Sequence, residues 1–249
     1  MKNVKFFILV LFVCLWIPVR GQSYMGVSGL LTVPSADMQR DGTFMIGGNY
    51  LPSVMLPNEF DLNTGNYFLN LTFLPFMEVG YRCTLSRPEG KEDNWQQDRA
   101  VSLRLRALKE MKYVPSVVFG SNDAFATYAL NIFDEKKASR MFGSVYGVLT
   151  KNIPMGSHVL GFTAGYYFPI YDESPNKGFW GGIRYTPGFF PMLSVMTDYD
   201  GHRISAGASL FLFRHFRIHA MVFHLQEVSA GIRYEFILIS KKNRKQVNQ

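Results

Sequence analysis

From residue 43 onward, apolar residues recur at every second position, and that rhythm limits what this 249-residue chain can fold into. In "VSLRLRAL", Val101, Leu103, Leu105 and Ala107 alternate with Ser102, Arg104 and Arg106. A helix would scatter those arginines around its circumference, whereas a strand lines them up on one side. The same beat runs through "GNYFLNLTF" (Tyr67, Leu69, Leu71, Phe73), "EVGYRCTL" (Val79, Tyr81, Cys83, Leu85) and "LGFTAGYYF" (Leu160, Phe162, Ala164, Tyr166). It continues in "RISAGASLFL" (Ile204, Ala206, Ala208, Leu210, Leu212) and "EVSAGIRYEF" (Val228, Ala230, Ile232, Tyr234, Phe236). Turn signals separate the runs at Leu74-Pro75, Pro154–Gly156, Pro175–Gly178, Pro187-Gly188 and Asp200-Gly201. The tally is about a dozen strands, the first at Thr43–Leu51, with thirteen reached if residues 113–150 hold one more. Short links between successive runs predict an all-β, antiparallel, up-and-down meander.

The segment before the first strand has a different character. Lys2 and Lys5 precede the apolar run "FFILVLFVCLWIPV", and Val19-Arg20-Gly21 supplies small residues where a signal peptidase would read. An apolar run this short, ended by Pro18 and Arg20, predicts a cleaved export signal over residues 1–21 rather than an anchor. Removing it leaves Cys83 as the single cysteine, so the exported chain can form no internal disulfide. Of the formal net charge of +7, Lys2, Lys5 and Arg20 account for three and Lys241, Lys242, Arg244 and Lys245 for four. The body is therefore neutral, with a basic tail at residues 239–249, which argues against a nucleic-acid partner.

Two barrels fit this list of strands. A soluble barrel would bury the apolar face; a transmembrane barrel would turn it outward and line its lumen with the other face. The off-face positions are small or polar, and many aromatics fall near strand ends (Tyr50, Tyr67, Tyr113, Phe125, Tyr166, Tyr167, Tyr185, Tyr234, Phe236). Charges gather in loops such as residues 86–99. With the export signal, these features predict a transmembrane β-barrel of about 12 strands over residues 43–238, in the outer membrane of a Gram-negative bacterium and in contact with its lipid. Without water to satisfy a free edge, such a sheet must close. The preceding "GVSGLLTVPSADMQRDG" is read as a periplasmic lead-in over residues 22–42, with an alternative in which it plugs or lines the mouth of the lumen. Pro34 keeps it from being an inner strand.

"GVSGLLTVPSADMQRDGTFMIGGNY" resembles the N-terminal pattern of the YjbH-like exopolysaccharide-associated outer-membrane proteins, Gly-Leu…Thr-x-Pro-[Ser/Thr]-Ala-x-Met…Asp-Gly-x-Phe. "VSLRLRALKEMKYVPSVVFGSND" is similar to the same family's strand, turn and Pro-Ala-hydrophobic-x-x-Gly-x-x-Asp segment. "FWGGIRYTPGFFPMLSVMTDYDGHRISAGASLFLF" resembles its Gly-Gly-x-x-Tyr…Tyr-Asp-Gly…Asn-x-Gly stretch, with Asp198 where the family has Glu and Ser205 where it has Asn. The resemblance implies a non-catalytic protein that assists exopolysaccharide production or export, alongside cell-envelope export proteins. A barrel of about twelve strands is too narrow to be an open polymer pore, so the implied action is accessory.

Candidate chemistry is sparse. No nucleophile elbow, zinc motif or phosphate loop occurs, and no cofactor or metal is expected. His215, His219 and His224 sit in an arginine-rich stretch that reads as a turn, and Asp198, Asp200 and His202 surround a hairpin signal. The latter cluster leaves open an outer-membrane barrel hydrolase acting on lipid or peptide; a secreted soluble barrel binding an apolar ligand is the other alternative. The inward-facing arginines are the better candidates: Arg82, Arg104, Arg106, Arg184, Arg203 and Arg233, with Glu78, Asp198 and Glu235 as possible partners. They predict either a salt-bridged lumen or a lining that contacts an anionic polysaccharide.

Overall fold

The computed structural model describes residues 21, 23–56, 62–87, 95–127 and 140–238. Apart from Gly21, the expected export signal at 1–21 falls outside them, as do the basic tail at 239–249 and residues 88–94 of the charged loop. The described residues contain twelve strands and one short 3-10 turn. The strands are β1 (Thr43–Leu51), β2 (Thr64–Phe73), β3 (Met77–Ser86), β4 (Gln96–Leu108), β5 (Ser116–Ala126) and β6 (Ser144–Met155), followed by β7 (His158–Pro169), β8 (Gly178–Thr186), β9 (Leu193–Tyr199), β10 (Ile204–Leu212), β11 (Phe216–Phe223) and β12 (Glu227–Ile237). Each pairs antiparallel with its neighbours in sequence, and β1 pairs with β12, so the sheet closes into a barrel. Residues 113–150 contribute β5 and β6, which brings the tally to the even number.

The alternation decides which face points where. Ile46, Leu69, Leu105, Phe119, Leu149, Ile183, Ile218 and Ile232 are exposed on the outer surface, while their strand neighbours Asn70, Arg104, Val118, Arg184, Arg217 and Arg233 are buried. The apolar face therefore looks outward. Tyr50, Tyr67, Tyr113 and Tyr166 follow it, but Tyr167 does not: it is buried in the interior against Tyr146 and Trp180. Room for that cluster comes from Gly165, which faces Trp180 across the β7–β8 ladder. A Cβ at Gly165 would lie 2.3 Å from Trp180 Cζ2.

The two ends of the barrel differ. Strands are joined at one end by residues 74–76, 109–115, 156–157, 187–192 and 213–215, and at the other by the generally longer connections 52–63, 87–95, 127–143, 170–177, 200–203 and 224–226. Gly42 docks on the short-turn end through its N–H to the Thr72 carbonyl, 2.9 Å away. From there the chain runs backward into the barrel, where Ser23–Ala36 are almost wholly enclosed. The segment folds on itself through a Gly29–Pro34 bridge, a 2.8 Å bond from Leu30 N–H to the Val33 carbonyl, and a 3.0 Å bond from Tyr24 N–H to the Leu31 carbonyl. Residues 23–36 thus occupy the interior of the barrel. Tyr24, Met25, Val27, Leu30, Leu31, Val33 and Met38 meet Val118, Val148, Met196, Met221 and Phe223 of the wall, so a dry core lies inside the barrel. This is the reverse of an interior left empty for an apolar ligand: the chain fills it with its own N-terminal segment.

Candidate functional site: the sealed lumen and its short-turn mouth

Backbone that is buried outside a sheet must find side-chain partners, because an unpaired amide or carbonyl is costly away from water. The wall supplies them at each level. Near the long-loop end, Asn49 and Asn66 donate to the Tyr24 carbonyl at 3.0 and 2.9 Å. Asn70 donates to the Gly26 carbonyl at 2.9 Å, and Glu78 Oε1 accepts the Ser28 N–H at 2.8 Å. Asp198 accepts three bonds, from Leu31 N–H (2.9 Å), Thr32 N–H (2.8 Å) and the Thr32 hydroxyl (3.0 Å). Toward the short-turn end, Thr150 Oγ1 accepts the Ala36 N–H at 2.8 Å, and Ser116 donates to the Ala36 carbonyl at 3.0 Å.

Four of the six predicted arginines point into this interior. Arg82 lies between Asp98 (2.7 Å) and Asp123 (3.1 Å), with its guanidinium 4.6 Å from the centre of the Phe142 ring. Arg104 pairs with Glu78 at 2.9 Å and donates to the Ser35 carbonyl of the inner segment. Arg184 pairs with Asp37 at 2.7 Å and donates to Asn152 at 2.8 Å. Arg233 shares Glu235 with Arg217, at 3.6 and 3.4 Å. An isolated buried charge would be prohibitive, so pairing is what makes these positions habitable. Of the two predicted outcomes, the salt-bridged lumen is the one these contacts form.

The other two arginines depart from the expectation. Arg203 precedes β10, is exposed, and donates to Gln226 at 3.2 Å at the rim. Arg106 is half-buried at the short-turn mouth and donates to the Pro75 carbonyl. The Asp198–Asp200–His202 cluster is split: Asp198 faces inward, whereas Asp200 Oδ1 accepts the N–H groups of His202 (2.9 Å) and Arg203 (3.0 Å) as a turn residue does. Asp200 Oδ2 instead meets His224 Nε2 at 2.7 Å. His219 is buried in the lumen while His215 sits on a turn, and among the described residues no three His, Cys, Asp or Glu side chains converge as metal ligands.

Sequence reasoning missed Arg217, Asp98, Asp123 and Asp37. Asp123 escaped because it breaks the alternation. The β4–β5 register shifts between Val101 and Leu103, and Asp123 adopts φ 51°, which turns its carboxylate inward to Arg82 and to Phe142 N–H at 2.9 Å. Its place at the end of "GSND" was the available signal, since Asn and Asp tolerate this conformation best.

The fold and these contacts define a plugged up-and-down β-barrel with an apolar exterior. The chain belongs to the YjbH family: that family's model, described as exopolysaccharide biosynthesis protein YbjH, matches residues 21–168, from the inner segment through β7. The comparison with curated proteins gave no match.

Proposed function

We propose that the chain is an outer-membrane β-barrel, delivered by a cleaved leader, that assists exopolysaccharide production or export without catalysing a reaction itself. The observation carrying this reading is the closed barrel whose strands expose many large apolar side chains while arginines such as Arg82 and Arg104 are buried and paired inside. A closed sheet leaves no unpaired edge and an apolar exterior matches acyl chains, which are the two requirements for crossing a bilayer with strands. The family description supplies the link to the polysaccharide. A lumen filled by residues 23–36 offers a polymer no passage, so the role is that of an accessory acting beside export proteins.

Detergent fractionation tests the location: the reading requires that the protein pellet with the outer membrane and be released only by detergent. Deleting the gene and weighing matrix polysaccharide tests the role; an unchanged matrix would overturn it.

A further inference from the structure

The lumen arginines are consumed by pairing, but a second set of cations is not. Where the inner segment leaves the barrel at the short-turn end, it forms one side of a cavity of about 500 Å³ with the β4–β5 connection and the end of β6. Arg106, Lys109, Lys112 and Lys151 line it, with Asp37 and Glu110 as its acids. Both acids are already engaged. Asp37 is held by Arg184 at 2.7 Å, and Glu110 by Lys151 at 3.1 Å and by Asn152 through its N–H at 2.7 Å and its amide at 2.8 Å. Among the described residues, Arg106, Lys109 and Lys112 have no carboxylate within ion-pair distance. Lys112 instead lies 5.2 Å from the centre of the Tyr113 ring.

We infer that this cavity binds a carboxylate-bearing saccharide, with Arg106, Lys109 and Lys112 as the cations that receive the acid groups. The reading of the protein as a polysaccharide accessory underlies this assignment, and the cavity adds the chemical class of the sugar. The volume suits a short oligosaccharide. A planar guanidinium beside two mobile ammonium groups suits carboxylates spaced along a chain. An acidic peptide carries the same carboxylates but lacks the link to a saccharide that the family description gives, and tri-glutamate in the test below separates the two.

The test uses the full mature chain in lauryldimethylamine oxide micelles, whose headgroup is neutral and carries no sugar. Galacturonic acid trisaccharide is titrated calorimetrically beside maltotriose and tri-glutamate. The expected result is saturable binding of the galacturonate alone, weakening with added salt. Affinity should fall at least about tenfold in the Arg106→Gln/Lys109→Gln/Lys112→Gln variant, because each lost charge-assisted contact weakens binding by a few-fold or more. Circular dichroism checks that this variant retains its barrel; if it does not, Lys109→Gln/Lys112→Gln, which alters exposed side chains only, is titrated instead and should still lose several-fold. No galacturonate binding, equal binding by the variants, or tri-glutamate binding as tightly would overturn the assignment. The two readings fail separately: a variant that no longer binds but restores matrix to a deletion strain sinks the cavity's role and leaves the accessory role standing. An unchanged matrix on gene deletion does the opposite.

Discussion

Asp198 holds Thr32 with both carboxylate oxygens, Oδ2 taking the backbone N–H at 2.8 Å and Oδ1 the hydroxyl at 3.0 Å. The two residues are 166 positions apart in sequence, so this grip ties the inner segment to β9 in the second half of the barrel. Leu31 N–H shares Oδ2 at 2.9 Å. Replacing Asp198 by Ala would strand two buried amides, at a cost of about 3 kcal/mol, taking 1–3 kcal/mol per unsatisfied group. The expected outcome is a lower thermal midpoint and proteolytic cleavage within residues 23–38, read by mass spectrometry of the digested protein. Asp198→Glu keeps the carboxylate and should lose far less.

Arg104 and Glu78 form a pair with neither side chain exposed. Arg104→Met leaves Glu78 buried with one cation fewer, and the expected loss is about 3–5 kcal/mol. Adding Glu78→Gln should recover part of that loss, since the amide can still accept the Ser28 N–H while carrying no charge. Denaturation midpoints of both singles and the double close the cycle. Strict additivity would show that the two residues are not coupled.

Gly165 faces Trp180 closely enough that an added methyl has nowhere to go. Gly165→Ala should therefore destabilise the barrel by about 1–3 kcal/mol, as overpacking does. Combining it with Trp180→Leu, which opens the space above the β7 backbone, should return part of the loss, read again as the thermal midpoint.

The β10–β11 turn runs in the opposite sense. Phe213 and Arg214 both adopt positive φ, 50° and 63°, a conformation that side chains with a Cβ resist. Arg214→Gly removes that resistance and should raise stability by about 1 kcal/mol. No change in midpoint would mean that the turn is not strained at this position.

The barrel was legible in the sequence because alternation is a local property. Thr43–Leu51 is read from its own residues and is β1 in the fold. Alternation also sorted Arg82, Arg104, Arg184 and Arg233 onto the inner face. It could not say what else occupies that face. Residues 23–36 have no period, and their partners Glu78, Thr150 and Asp198 come from three distant strands. Arg203 was misplaced because period two was extended one residue beyond the start of β10, into a turn where the rule lapses. Tyr167 was misplaced for a related reason: Tyr166 and Tyr167 are adjacent, so they must face opposite sides, and only one of them could look outward.

The seam sets an order of events. β1 and β12 are stitched along Thr43–Ile237 to Tyr50–Ala230, so the cylinder cannot shut until its last strand has been made. Residues 23–38 precede β1 and are made before the strand that completes the wall around them. Pairing so distant in sequence is slow. The leading stretch is therefore available to the unfinished sheet from the start, and a cylinder that shut without it would leave the carboxylates of Glu78 and Asp198 without the backbone amides they now accept.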